Sequence, residues 1–235
     1  MTDNSKLVLL KTAIDIAKDW NTAKEYAAFI IGKSEPEVLK PIVVDRVVTV
    51  KSPIENGVYI VYLDGKAVRY VSDMEIEKPN LVKGIGVAHD GHAFVVSLKD
   101  ACYCPLLNSD DEEGEDYQPI YYEREVDALQ DWDCKGNTEK ILARGTEIKL
   151  KDGEYIPTLA QLALIGYHIK AINEALKSVC GEPLVTDPDD DPYYWSSTES
   201  SATNAWGLGL YAGSLYIWGS KSKYKLHVRP VSAFL

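Results

Sequence analysis

Two Asp-Gly dipeptides, each set between β-branched and aromatic runs, constrain this chain more than any other feature. GVYIVYLDGKAVRYV spans 57–71 and GIGVAHDGHAFVVSL spans 84–98. Asp-Gly supplies left-handed backbone cheaply, so each run reads as two antiparallel strands joined by a tight turn. His89 and His92 flank the second turn and read as turn residues, since two histidines alone fall short of a metal ligand set. PIVVDRVVTV at 41–50 reads as a further strand.

Helical patterns surround these strands. Leu7, Leu10, Ile14 and Ala17 recur at helical spacing, and Thr22 with Glu25 opens a second helix that stops near Gly32. This N-terminal pair is too small to enclose a core, so it docks on its own chain or on a neighbouring copy. Short helices are predicted over Glu123–Trp132 and Asn137–Ala143. EYIPTLAQLALIGYHIKAINEALKSVCG at 154–181 is the strongest helical region, with a Thr158/Gln161 capping box, a bend or break at Gly166 and a stop at Gly181. The pattern predicts an α+β chain: an N-terminal helical and β-hairpin segment over 1–83 and a second domain over 84–235.

Charge narrows the function. The chain carries 36 acidic against 25 basic side chains, which argues against a nucleic-acid partner and against an anionic membrane surface. No apolar run reaches membrane-spanning length. The first twenty residues have early acids and no small-residue cleavage site, unlike a secretory signal. The expectation is a cytoplasmic or virion-associated chain. DDEEGED at 110–116 lacks the order of a calcium loop and reads as solvated. TDPDDDP at 186–192 reads as loop, with Asp187, Asp189 and Asp191 a weaker candidate for a cation. Cys102, Cys104, Cys134 and Cys180 lack paired zinc spacing and read as free thiols, with a Cys102–Cys134 bridge left open. No metal or cofactor is expected.

The last fifth of the chain is aromatic, rich in Gly and Ser, and locally basic. Read as strands, Trp206, Leu208 and Leu210 share one face, and Leu215 and Ile217 share one face, both toward a core. Tyr211, Tyr216 and Trp218 then lie on the outer face beside Ser214, Ser220, Lys221 and Lys223. Rigid aromatics among small hydroxyls form a composition suited to recognition. The same aromatics also suit cross-strand pairing within a sheet.

IPTLAQL at 156–162, AINEAL at 171–176, YWSSTE at 194–199, NAW at 204–206, Gly213 and VRPVSAF at 228–234 together resemble a bacterial and phage C-type-lectin-like family. GVAHDGHAFVVSLKDA at 86–101 resembles that family's preceding strand pair. The resemblance covers 84–235 and implies a small twisted, mostly antiparallel sheet with two helices. It implies ligand binding of the adhesin or phage receptor-binding kind; some members are variable proteins diversified by retroelements. Trp195 and Arg229 would be scaffold, with Arg229 in buried hydrogen bonds. The binding residues it suggests are Ser200, Tyr211, Ser214, Tyr216, Trp218, Lys221, Lys223 and Tyr224, facing a protein or glycan on a cell surface. Trp218 and lysines 221, 223 and 225 do not follow from adenine-directed diversification, and no calcium-type sugar site is present in the C-terminal strands. Two alternatives stand beside this non-enzymatic reading. One is a structural assembly protein. The other is a cysteine-dependent enzyme like the sulfatase-modifying oxidases of the same fold class, for which Cys102 and Cys104 are the candidate thiols.

Overall fold

The computed structural model describes residues 54–109, 120–211 and 215–234, with backbone alone over 215–218. The predicted N-terminal helices, the 41–50 strand and the 110–116 acidic run lie outside the described residues. The described residues belong to one unit, Lys51–Leu235.

Both Asp-Gly hairpins form. β1 (Gly57–Tyr62) and β2 (Ala67–Arg69) flank a turn in which Gly65 has φ 86° and the Asp64 carboxylate accepts from Lys66 N–H at 2.9 Å. β3 (Val82–His89) and β4 (His92–Ser97) meet at Asp90-Gly91, where φ is 45° and 86°. Positive φ at both central residues of a two-residue loop is the type I′ signature, whose twist matches the strands it joins. β1 pairs with β3 from Gly57↔Ala88 to Tyr62↔Val82. The hairpin predicted to belong to a separate segment ending at residue 83 is therefore part of the same sheet as the strands after that point.

The remaining elements follow in order: β5 (Cys102–Cys104), α1 (Glu125–Ala128), α2 (Cys134–Ala143), β6 (Glu154–Tyr155), α3 (Leu159–Tyr167), α4 (Ile169–Ser178), β7 (Tyr193–Glu199), β8 (Asn204–Gly209), β9 (Leu215–Ser220), β10 (Leu226–Val228) and β11 (Val231–Ala233). One sheet has the order β2-β1-β3-β4-β11-β6, the other β5-β10-β7-β8-β9. Every pairing is antiparallel except β10 with β7. The described chain is thus α+β with two mostly antiparallel sheets.

Alternation along the strands sorts the core. Val58, Ile60, Ile85, Val87 and Val96 of the first sheet pack with Leu159, Leu162, Ile165, Ile172 and Leu176 of α3 and α4, and with Tyr194, Trp206, Leu208 and Leu210 of the second. The opposite face of the second sheet carries its own core of Leu106, Leu107, Ile141, Ile156, Trp195, Ala205 and Val228. The other face of the first sheet is closed by Phe234, which packs with Val61 and Val95. A Cβ on Gly86 would sit 2.4 Å from the Phe234 ring, and one on Gly84 2.4 Å from the Val96 carbonyl oxygen.

The helices start and stop for local reasons. α2 begins at Cys134, three residues before its predicted start, because the Asp133 carboxylate caps it through Gly136 N–H at 2.9 Å. α1 is shorter than its predicted span. The Thr158/Gln161 capping box forms with both reciprocal bonds. Gly166 does not break the helix. It lies against Leu208 and Leu210 with room for a methyl group at ordinary contact distance, and the chain turns instead at His168. α4 ends in a Schellman motif: Gly181 N–H donates to Leu176 C=O at 2.8 Å and Cys180 N–H to Lys177 C=O at 3.3 Å. The left-handed residue of this motif is Cys180, with φ 57°, not the neighbouring glycine.

Cys102 and Cys104 are not free thiols. They are bridged to each other, with Cα atoms 5.6 Å apart. Residues i and i+2 of a strand point to one face, which brings the two sulfurs together. Cys134 and Cys180 are unbridged.

Two substitutions test these backbone readings by chemical denaturation. Gly84→Ala forces a methyl group against a backbone oxygen in the central hairpin and is expected to cost about 1–3 kcal/mol. Cys180→Gly removes the left-handed penalty of a side chain and is expected to add about 0.5–1 kcal/mol.

Candidate functional site

β7, with the sequence YYWSSTE, is the most tightly tied strand near the predicted binding surface. Tyr194 is fully buried, and its hydroxyl accepts from Val185 N–H at 2.8 Å. Burial drives this phenol far above its ordinary range, so it stays neutral. The Trp195 indole donates to Cys104 C=O at 3.0 Å, and Ser196 Oγ donates to Trp206 C=O at 2.7 Å. Thr198 Oγ1 donates to the buried Asp131 carboxylate at 2.7 Å and accepts from Leu159 N–H at 3.0 Å. Asp131 also accepts from Asn137 Nδ2 at 2.7 Å. At the strand end the Glu199 carboxylate takes Arg144 Nη1 at 2.8 Å and Lys221 Nζ at 2.5 Å.

Arg229 is fully buried at the junction of the two sheets. It donates to Ser97 C=O at 3.1 Å, to Glu182 C=O at 2.9 Å and to the Asp100 carboxylate, which His227 Nδ1 approaches at 2.9 Å. Trp195 and Arg229 are therefore both interior.

Trp206, Leu208 and Leu210 face the core, as alternation requires. The predicted binding residues divide into groups. Tyr211 follows β8 and meets Tyr193 edge to face, with ring centroids 5.9 Å apart and hydroxyls 3.2 Å apart. Ser200, Lys223 and Tyr224 lie at the opposite end of the β8–β9 ribbon. Ser200 is half-buried and donates its N–H to Asn204 C=O at 3.0 Å. Lys223 and Tyr224 are exposed. The Tyr224 ring lies over Gly219, 3.2 Å from where a Cβ would stand, and Trp195 reaches the same point at 3.3 Å. A side chain at 219 would crowd both rings.

Tyr216 stands opposite Gly207, and Leu215 opposite Leu208, in the strand register. Of Tyr216 and Trp218 only the backbone is described, and Ser214 lies outside the described residues.

Lys221 corrects the prediction. It is fully buried, held by Glu199 and by Ser201 C=O at 3.1 Å, and does not reach the outer face. Its sequence neighbourhood is basic and exposed, so the chain alone does not distinguish it from Lys223. The distinguishing partner, Glu199, is 22 residues earlier. Tyr193 is the converse omission. It immediately precedes the YWSSTE motif and has no role in the sequence reading, yet its ring stands half-buried beside Tyr211.

Two other polar groups border this sheet. The Tyr103 hydroxyl donates to the Asp191 carboxylate, tying the 186–192 acidic loop to the edge strand β5. That bond and partial burial raise the Tyr103 phenol above its ordinary value. Asp187 caps its own turn through Asp189 N–H at 3.1 Å. Among the described residues no three His, Cys, Asp or Glu side chains converge as metal ligands. Cys134 receives Gln161 Nε2 at 3.6 Å, and burial pushes its thiol up, which keeps it protonated at neutral pH.

Comparison with protein-family models, curated proteins and solved structures gives no match.

Glu199→Ala tests the bracing under this surface. It leaves Lys221 buried beside Arg144 without their shared carboxylate, and is expected to cost about 3–5 kcal/mol in an unfolding titration.

Proposed function

We propose that this chain is a non-enzymatic ligand-binding protein, adhesin-like or receptor-binding, with a protein or glycan on a cell surface as its ligand. The observation that carries this reading is the contrast within the second sheet. β7 has every side chain from Tyr194 to Glu199 buried, and the polar groups of Tyr194, Trp195, Ser196, Thr198 and Glu199 are committed to interior bonds. The adjoining β8–β9 ribbon carries tyrosines and small or basic polar residues at both ends. A recognition surface gains affinity when its aromatic contacts are held rigid before the ligand arrives. The Tyr193–Tyr211 pair and the Tyr224 ring on Gly219 have that support. By the family resemblance this ribbon is the display face, with a phage or prophage protein as the context.

The bridging of Cys102 with Cys104 weighs against the sulfatase-modifying alternative in its simplest form, which needs one of these as a thiolate. The assembly reading draws on one observation: β9 is the last strand in its sheet order, and an edge strand can pair with another chain.

The test is a glycan-array and bacterial-surface binding screen of the full chain against a folded Tyr216→Ala/Trp218→Ala variant, with Tyr211→Ala and Tyr224→Ala alongside. Binding that falls about tenfold or more in the double variant is expected, since an aromatic anchor in a binding surface is commonly worth 2 kcal/mol or so. Binding that survives all of these substitutions would move recognition away from the ribbon. An absence of binding, with concentration-dependent self-association, would favour assembly through β9.

A further inference from the structure

The β3–β4 hairpin and the turn between α3 and α4 are joined by two histidines. His89 ends β3, and His168 lies between the two helices. His89 Nδ1 and His168 Nε2 share a hydrogen bond at 3.3 Å. A neutral imidazole has one N–H and one bare nitrogen, so one ring donates and the other accepts. A single added proton keeps that arrangement, since a charged ring still donates to a neutral one. A proton on each ring removes it: both facing nitrogens then carry hydrogen, and neither accepts. Two like charges also meet at the same contact, where they repel.

Both backbones are fixed around the pair. Asn56 clamps the hairpin turn, donating to Asp90 Oδ1 at 2.9 Å and accepting from Asp90 N–H at 2.8 Å. His168 N–H donates to Leu164 C=O at 3.1 Å, and its C=O accepts from Ile172 N–H at 3.0 Å. The Tyr167 ring packs edge-on against both imidazoles, with centroids 5.0 and 4.8 Å away. The Asp90 carboxylate stands 3.7 Å from the other nitrogen of His89, beyond hydrogen-bond range, and acts on a charged ring there through space only. His92 is the cross-strand neighbour of His89, but its ring is stacked on Trp132 at 3.5 Å. Asp131 and Asp133 flank Trp132 and are committed to Thr198, Asn137 and the α2 cap. Lys170 follows His168 by two residues, a spacing at which helical side chains do not face each other. The His89 side chain is 24% exposed, so protons reach the pair from solvent.

We propose that the His89–His168 bond is an acid-released latch between the β3–β4 hairpin tip and the α3–α4 turn, closed with no proton or one proton added and open with two. Burial of His168, and after it the charge of His89, hold the His168 imidazole below the ordinary histidine range. The unfolded chain takes up that proton at about pH 6.5, and the folded chain resists it. The latch therefore contributes fully above about pH 6.5 and loses its contribution as the pH falls through the lowered value. Opening is local. Under the tip, Ile85, Val87 and Phe94 share one apolar cluster with Leu162 and Ile165, which no proton alters.

Hydrogen exchange of the full chain at about pH 7 and about pH 5, corrected for the intrinsic rate of each amide, tests this. The tip from Ala88 to Ala93 and the turn from Gly166 to Lys170 are expected to lose about tenfold in protection at the lower pH, the worth of one hydrogen bond to a charged group, while β7 and β8 keep theirs. His89→Gln and His168→Gln are expected to remove this pH dependence, since glutamine does not titrate, and His92→Gln to leave it. Should a glutamine variant fail to fold, histidine ring signals of the unsubstituted protein decide by NMR: the loss of protection is expected to follow the later of the two protonation steps of the His89–His168 pair. Equal protection at both pH values would overturn the proposal. So would a loss that survives both glutamine variants, that spreads evenly over both sheets, or that occurs where neither ring titrates.

Discussion

A single buried carboxylate joins three parts of the chain that no sequence rule places together. Glu199 ends β7, Arg144 follows α2, and Lys221 follows β9, and both cations share its Oε1 oxygen. Removing one such charge from water costs several kcal/mol, recovered only when its partners are in place. The β7–β8 turn, the end of α2 and the exit of β9 must therefore assemble in one arrangement. Lys221 also donates to Ser201 C=O, and Arg144 to Ala202 C=O, so the charges fix the turn backbone as well. An apolar cluster of similar size would tolerate slippage between these elements; directed bonds to one carboxylate do not.

The same logic recurs at the sheet junction. Arg229 sits between β10 and β11, the strands through which the chain passes from the second sheet to the first. Its fork bonds reach Asp100 at the β4–β5 connection and the carbonyls of Ser97 and Glu182. The four last residues before the C-terminus then carry Phe234 across to Gly86 on the far side of the first sheet. Each sheet is thus completed by strands from the end of the chain.

Local periodicity made much of this legible. Asp-Gly turns predicted both hairpins because the required backbone is local chemistry, and the capping box at Thr158 is likewise complete within four residues. The inward face of β8 followed from alternation alone. What escaped was set by distant partners. Lys221 looked like a surface lysine because its carboxylate comes from another strand. Cys102 and Cys104 looked like free thiols because the usual spacing rules concern pairs between elements. Tyr193 and Tyr211, whose hydroxyls meet, are likewise 18 residues apart.

The bridge between Cys102 and Cys104 has a consequence for where such a protein can live. It closes a ring within one strand, so it removes little freedom from the unfolded chain, of the order of 1.5 kcal/mol in the chain-entropy picture. It staples no helix to a strand and no sheet to its neighbour. Cores that hold through side-chain packing and buried charge do not await oxidation to form. A protein built this way can mature in a reducing cell interior and then work outside it, acquiring its one cross-link late and without rearrangement.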